Sequence, residues 1–237
     1  MPAKILKDKE MRTQTGIPGL DKHMEGGFIP GSVNLVSGGT GTGKSLFCMQ
    51  FLYGGAKDYG HNGLYISMEE TEDNLKADVR SIGIDFSNVD GKVKFLYIPP
   101  YDIRDFDSLL QKYIAEFRPD RVVIDSLTAL TMPLEDDYER KKEVYKVNML
   151  LKSAGCTALV ITEVPTESTG EDSAPRFSRF GVEEFMCDGV ISLYYAGMGG
   201  ESDRALRVIK LRRSNHTRGP IPMTIDKTGI KVSTSKY

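Results

Sequence analysis

Two patterns of apolar residues alternate along the chain. Short unbroken runs, VNLVSG (33–38), LYISM (64–68), RVVIDS (121–126) and TALVIT (157–162), are rich in branched residues and show no in–out alternation, which predicts strands covered on both faces. Segments of helical period lie between them. SLFCMQFLYGGAKD (45–58) and EDNLKADVRSI (72–82) read as helices, the second with Thr71 placed to cap it and acids in its first turn, where the helix dipole favours them. Phe106, Leu109, Leu110, Tyr113, Ile114 and Phe117 form an apolar stripe facing a core, and Pro119 stops that helix. A charged helix follows, with Val144, Val147 and Leu151 on its buried side.

Strand and helix in turn predict βαβ units, hence an α/β fold with a mainly parallel central sheet and helices on both faces. After residue 164 the pattern changes. PTESTGEDSAPRFSRFG (165–181) is polar and rich in Pro, Gly and Ser, so it reads as a mobile loop of a length usually kept for function. DGVISLYY (188–195), RALRVIKLRR (204–213), IPMTI (221–225) and GIKVS (229–233) then read as short strands joined by turns, a C-terminal antiparallel β meander.

At 237 residues the expectation is a single domain spanning 1–237. Hydrophobic residues at 40% and charged residues at 27% suit a soluble globular chain, and no apolar run approaches the roughly 20 residues that span a bilayer. The start, MPAKILKDKEMRTQTG, is charged and lacks a signal-like apolar core, so a cytoplasmic location is expected. Cys48, Cys156 and Cys187 stand far apart in apolar segments, as buried small hydrophobes rather than zinc ligands or a disulfide framework. A net charge of −2 offers no overall pull on nucleic acid or anionic lipid. One local patch stands out, residues 204–218, with six Lys or Arg and no acid.

The candidate chemistry centres on SGGTGTGKSL (37–46). Gly38, Gly43, Lys44 and Ser45 satisfy the GxxxxGK(S/T) pattern between a predicted strand and a predicted helix. Bare backbone lets consecutive N–H groups converge on phosphate oxygens, and the helix adds its positive end. Gly38, Gly39, Thr40, Gly41, Thr42, Gly43, Lys44, Ser45 and Leu46 would thus hold a nucleoside triphosphate, with Ser45 on Mg²⁺. Asp125 ends a buried strand, where a carboxylate holding the metal's water shell is needed. Glu69 and Glu70 end the strand after the phosphate-loop helix, placing one to orient an attacking water and the other to brace it. Thr162 and Glu163 close a further strand on the same edge and are candidates to sense the γ-phosphate.

These residues resemble the KaiC family within the RecA-type ATPases. TGIPGLDKHMEGGFIPG (15–31), the phosphate loop, Glu69-Glu70, Asp125, RFGVEEFMCDGVISL (179–193) and KLRRSNHTRGPIPMTI (210–225) match its pattern in order, over nearly the whole chain. The resemblance implies a RecA-like core assembled as a ring, commonly a hexamer, with ATP between subunits. It also implies that Lys210 and Arg212, with His216 following, reach the γ-phosphate of the adjacent subunit. Two residues apart on a strand lie on one face, so Lys210 and Arg212 can share a target. The clock proteins of this family fuse two copies of the unit, whereas this chain holds one. Where their second copy carries a phosphorylated Ser-Thr pair, this chain reads Glu183-Glu184-Phe185-Met186-Cys187-Asp188, which argues against an autokinase cycle of that kind.

Three functions stay open at this level. The leading one is an Mg²⁺-dependent, ring-forming ATPase that regulates through an unidentified protein partner. Another is a RecA- or RadA-type ATPase on single-stranded DNA, since Arg176, Phe177, Arg179 and Phe180 mix cations and aromatics, although Glu171 and Asp172 share their loop. The third is a nucleotide-gated scaffold with negligible turnover.

Overall fold

The computed structural model describes residues 11–99, 105–164, 176–195 and 203–234. Nine strands form one sheet, in the order β3-β2-β4-β5-β1-β6-β7-β8-β9. Strands β1 (Val33–Gly38), β2 (Gly63–Ser67), β3 (Val93–Tyr97), β4 (Arg121–Asp125), β5 (Thr157–Glu163) and β6 (Gly189–Tyr195) run parallel. Strands β7 (Arg204–Leu211), β8 (Ile221–Asp226) and β9 (Gly229–Val232) extend the sheet antiparallel, as the C-terminal pattern predicts.

Alternate residues of the central strands feed two cores, so each strand is apolar on both sides. On one face Val36, Tyr65, Val123 and Leu159 pack with helix α1 (Lys44–Tyr59), α2 (Glu72–Arg80) and the β8–β9 hairpin. On the other, Leu35, Leu64, Val122, Ile124 and Val160 pack under α3 (Phe106–Phe117), α4 (Leu127–Thr131) and α5 (Asp137–Ser153). Val144, Val147 and Leu151 of α5 are buried as expected, and so are all three cysteines. Burial pushes the thiols up, to about 11 for Cys156 and about 12 for Cys187.

Several local expectations need correction. Helix α2 ends at Arg80, and Thr71 occupies its N-cap position without a side-chain capping bond. In α3 only Phe106 and Leu110 are fully buried; Leu109, Tyr113, Ile114 and Phe117 are partly so, and Lys94 of edge strand β3 lies over the Phe117 ring at 4.5 Å. Strand β3 itself and the short helices α4 and α6 (Glu183–Met186) have no counterpart in the sequence reading. Residues 165–175 of the polar loop lie outside the described residues.

Helix α1 is tied to the sheet at its middle. Gln50 accepts from the Ile230 amide at 2.7 Å and donates to the Ile230 carbonyl at 3.0 Å, tying α1 to β9. Further along, Arg121 at the start of β4 is fully buried over the Phe51 ring (4.5 Å), donating to the Phe51 carbonyl at 2.8 Å and to His61 Nδ1 at 3.0 Å. Among the described residues, no helix is long and apolar enough to cross a membrane.

Candidate functional site

The phosphate loop joins the C-terminal end of β1 to α1, beside the ends of β5 and β6. In an open α/β sheet this edge, where connections depart to opposite faces, is where ligands bind. Gly38, Gly41 and Gly43 have φ of 158°, 74° and 98°, and a Cβ at Gly38 would stand 2.4 Å from the Leu193 carbonyl oxygen. Only glycine meets both demands there. The loop closes on itself: Lys44 Nζ and Thr42 Oγ1 both donate to the Gly39 carbonyl at 2.9 Å. Tyr195 OH donates to the Gly41 carbonyl at 2.8 Å. Thr40 is exposed, while the Leu46 side chain packs against the α1-face core, which leaves only its backbone facing the loop.

Ser45, on the first turn of α1, donates to Asp125 Oδ2 at 2.8 Å. The chain thereby brings its phosphate-loop hydroxyl and the strand-end carboxylate together, although 80 residues separate them. Asp125 is 6% exposed, and desolvation pushes its carboxyl above the ordinary aspartate value against hydrogen bonds from Tyr65 and Ser45. The positive end of α1 and the nearby Lys44 favour its ionised form.

Glu69 and Glu70 stand at the end of β2 on this same edge, their backbone amides bonded to Ser67 Oγ at 3.3 and 2.9 Å. The pair is not equivalent. Glu69 Oε1 accepts from Ser126 Oγ at 2.9 Å, and desolvation raises its pKa above the usual glutamate value. Both residues are exposed, but the Glu70 carboxylate has no hydrogen bond or ion pair among the described residues. Ser126 also caps α4 by accepting from the Ala129 amide at 3.1 Å, so one buried hydroxyl both starts a helix and holds Glu69.

The expected sensing role of Thr162 meets an obstacle. Its hydroxyl is fully buried, within 3.2 Å of Thr128 Oγ1 and donating to Glu183 Oε1 at 3.4 Å, so it faces neighbouring side chains rather than the cleft. Glu163 is nearer the surface and pairs with Arg179 at 3.8 Å. Phe180 lies under Arg140 at 4.4 Å and Phe177 packs against the α5-face core, so three of the four cation and aromatic residues of that loop are engaged within the chain. Next to Gly38 and Gly39 opens a cavity of about 410 Å³ that Arg176, Phe177 and Arg207 help to line.

Lys210 and Arg212 are not at this edge. Val190 of β6 lies opposite Lys210 and opposite Leu35 of β1, which sets both cations toward the starting end of β1. Lys210 Nζ donates to the carbonyls of Glu184, Phe185 and Cys187 at 3.2, 3.3 and 2.7 Å, and Arg212 pairs with Asp188 at 2.9 Å. The two heads do share a target, the segment 184–188 of their own chain. His216 and Arg218 line an adjoining cavity of about 360 Å³, which shares Phe177 and Arg207 with the first but is not lined by the phosphate loop.

Sequence reasoning missed Tyr65, Ser126 and Tyr195. A lone phenol in an aliphatic strand is the available signal for the first, because a buried hydroxyl requires a partner. For Ser126 the signal is a good N-cap residue directly after the strand-end aspartate.

A family model described as ATPase: KaiC matches residues 13–237. The chain belongs to that family. It is 32% identical over 233 residues to the circadian clock oscillator protein KaiC of Parathermosynechococcus lividus, covering 93% of this chain but 42% of that protein. It therefore spans less than half the length of the clock proteins it matches. UPF0273 protein MJ1359 of Methanocaldococcus jannaschii is 32% identical over 244 residues, covering 95% of this chain and 97% of that one. Among solved structures, the KaiC-like protein PH0186 of Pyrococcus horikoshii OT3 superposes with a TM-score of 0.83 at 32% identity, covering 94% of this chain and 99% of that one. The sheet with its antiparallel C-terminal extension is thus a KaiC-like, RecA-type fold, and membership in this ATPase family supports ATP binding.

Proposed function

We propose that the chain binds ATP with Mg²⁺ at the phosphate loop and hydrolyses it within a homo-oligomeric ring, and that this cycle regulates a partner protein in the cytoplasm. The observation that carries the reading is the Ser45–Asp125 hydrogen bond, with Lys44 folded across the adjoining loop. The residues present fit a metal-bound triphosphate: a loop whose Gly38 has no room for a Cβ, a cation inside it, and a hydroxyl and carboxylate side by side.

In this reading the N–H groups of residues 39–45 bind the β- and γ-phosphates, and Lys44 exchanges the Gly39 carbonyl for phosphate oxygen. Ser45 and Asp125 hold Mg²⁺, which when bound offsets charge on the phosphates. Glu70, with its carboxylate free, orients the attacking water, and Glu69, fixed by Ser126, braces it. Lys210 and Arg212 sit at the far end of the sheet from their own loop, so they serve a neighbour's γ-phosphate. To do so they leave the carbonyls of 184–187 and Asp188.

The test is ATP binding by calorimetry together with phosphate release. Lys44→Ala is expected to abolish binding or turnover, and Glu70→Gln to spare binding and stop turnover. Undiminished phosphate release in both variants would overturn the assignment. One observation favours a second reading, a nucleotide-held scaffold of negligible turnover: both trans-acting cations are engaged within their own chain. A single-turnover burst followed by no further phosphate release would select it.

A further inference from the structure

We propose that Tyr65 is a positioning residue that sets the Asp125 carboxylate for Mg²⁺, an inference that rests on the nucleotide reading of the site. Tyr65 brings a hydroxyl into the buried strand β2. Its neighbours in the strand, Leu64 and Ile66, are aliphatic and face the other core, while Tyr65 is fully buried on the α1 face with its ring stacked on Phe95 at 5.7 Å. Phenylalanine would make the same stacking contact, so packing accounts for the ring but not for the hydroxyl. A phenolic hydroxyl placed in such surroundings requires an acceptor.

Its acceptor is Asp125 Oδ2, at 2.5 Å. That is the range of hydrogen bonds from a hydroxyl to a carboxylate, shorter and stronger than those between neutral groups. The register supplies the reach. Ser67 lies opposite Asp125 and Val123 opposite Tyr65, so the two side chains share the α1 face, offset by one pleat repeat that a phenol is long enough to cross.

Ser45 Oγ donates to the same oxygen at 2.8 Å. Oδ2 therefore receives two donors, enough to occupy both of its lone pairs, while Oδ1 has no hydrogen bond among the described residues. Turning the carboxylate to exchange its oxygens would break both bonds at once. The consequence is a fixed orientation, one oxygen held by the protein and the other available to the cation's water shell. With Ser45 as the sole donor the carboxylate could follow that hydroxyl whenever the loop moves. Tyr65, anchored in the sheet, prevents this.

The experiment is ATP binding by calorimetry in EDTA and across an MgCl₂ titration, for the whole chain and for Tyr65→Phe. Wild-type protein should bind ATP more tightly with Mg²⁺. Tyr65→Phe should match it in EDTA but need on the order of tenfold more Mg²⁺ for half of the gain, as expected for one hydrogen bond to a charged group. In an Asp125→Asn background, Tyr65→Phe should change nothing further, because the tyrosine acts through that carboxylate. If thermal melting shows that Tyr65→Phe is unfolded, Tyr65→Met, which fills the site without a hydroxyl, should give the same shift. A magnesium dependence unaltered by loss of the hydroxyl, or an equal loss of affinity with and without the metal, overturns the inference alone. Wild-type protein that binds no ATP under either condition refutes the nucleotide reading and this inference with it.

Discussion

Replacing Gly55 by alanine sets two effects of opposite sign against each other. Gly55 lies inside α1, where alanine is ordinarily better by about 1 kcal/mol because it restricts the unfolded chain and favours the helix. Here a Cβ would stand 2.2 Å from Arg121 Nε, 2.4 Å from its Cδ and 2.6 Å from its Cζ. The guanidinium cannot swing aside, being fully buried, stacked over Phe51 and bonded to the Phe51 carbonyl and His61. Overpacking a core costs about 1–3 kcal/mol, and displacing a hydrogen bond made by a charged group costs about 1.5–3 kcal/mol more. The clash wins, leaving Gly55→Ala less stable by about 1.5–5 kcal/mol after the helix gain is subtracted. For a domain of this size that lowers Tm by roughly 3–20 °C. Urea unfolding and thermal melting measure it. Arg121→Met in the same chain should recover part of the loss, since an apolar side chain can replace a buried charge at little cost. A Gly55→Ala protein as stable as wild type, or a double variant no better than the single, would refute the reasoning.

Other expectations follow from the site and its supports. Burial raises the Asp188 carboxyl, but hydrogen bonds from Lys152 and the Val33 amide, with the Lys152 and Arg212 charges, hold it below the ordinary aspartate value. A group depressed on folding contributes stability that is complete above its unfolded pKa, near 4, and lost as pH falls through the lower folded value. The stability gap between wild type and Asp188→Asn in urea should therefore be widest at neutral pH and close in acid; a gap independent of pH would contradict this. Ser126→Ala removes both the α4 cap and the Glu69 bond, so it should cost about 1 kcal/mol of stability and also slow phosphate release, while Thr71→Ala, with no capping bond to lose, should do neither. Arg212→Ala should leave ATP binding measurable yet cut turnover by roughly 10³-fold, the scale of a charge supplied in trans at the γ-phosphate.

The central strands were legible because they are covered on both faces: runs such as RVVID have no polar side to expose. The phosphate loop was legible because its glycines answer a backbone requirement that leaves a mark in sequence. Strand β3 was not, since an edge strand of five residues needs no apolar pattern and here carries Lys94. The α3 stripe was read correctly as helix but its burial overstated, because periodicity reports a face and not how much of that face the sheet covers. Tyr65 and Ser126 matter through partners 60 and 57 residues away, and such meetings depend on register, which residue types alone do not specify. Thr162 shows the converse: a polar strand end looked outward-facing until α4 supplied Thr128 as its neighbour.

The antiparallel turn of β7 has a consequence for how such a protein could be controlled. In the proposed ring, the placement of Lys210 and Arg212 at the end of the sheet opposite the loop would make a solitary molecule half an enzyme, and specific activity should rise steeply as dilute protein is concentrated. Two inert preparations, one lacking Lys44 and one lacking Arg212, should then regain activity on mixing, at about one quarter of their junctions if subunits exchange at random around a head-to-tail ring.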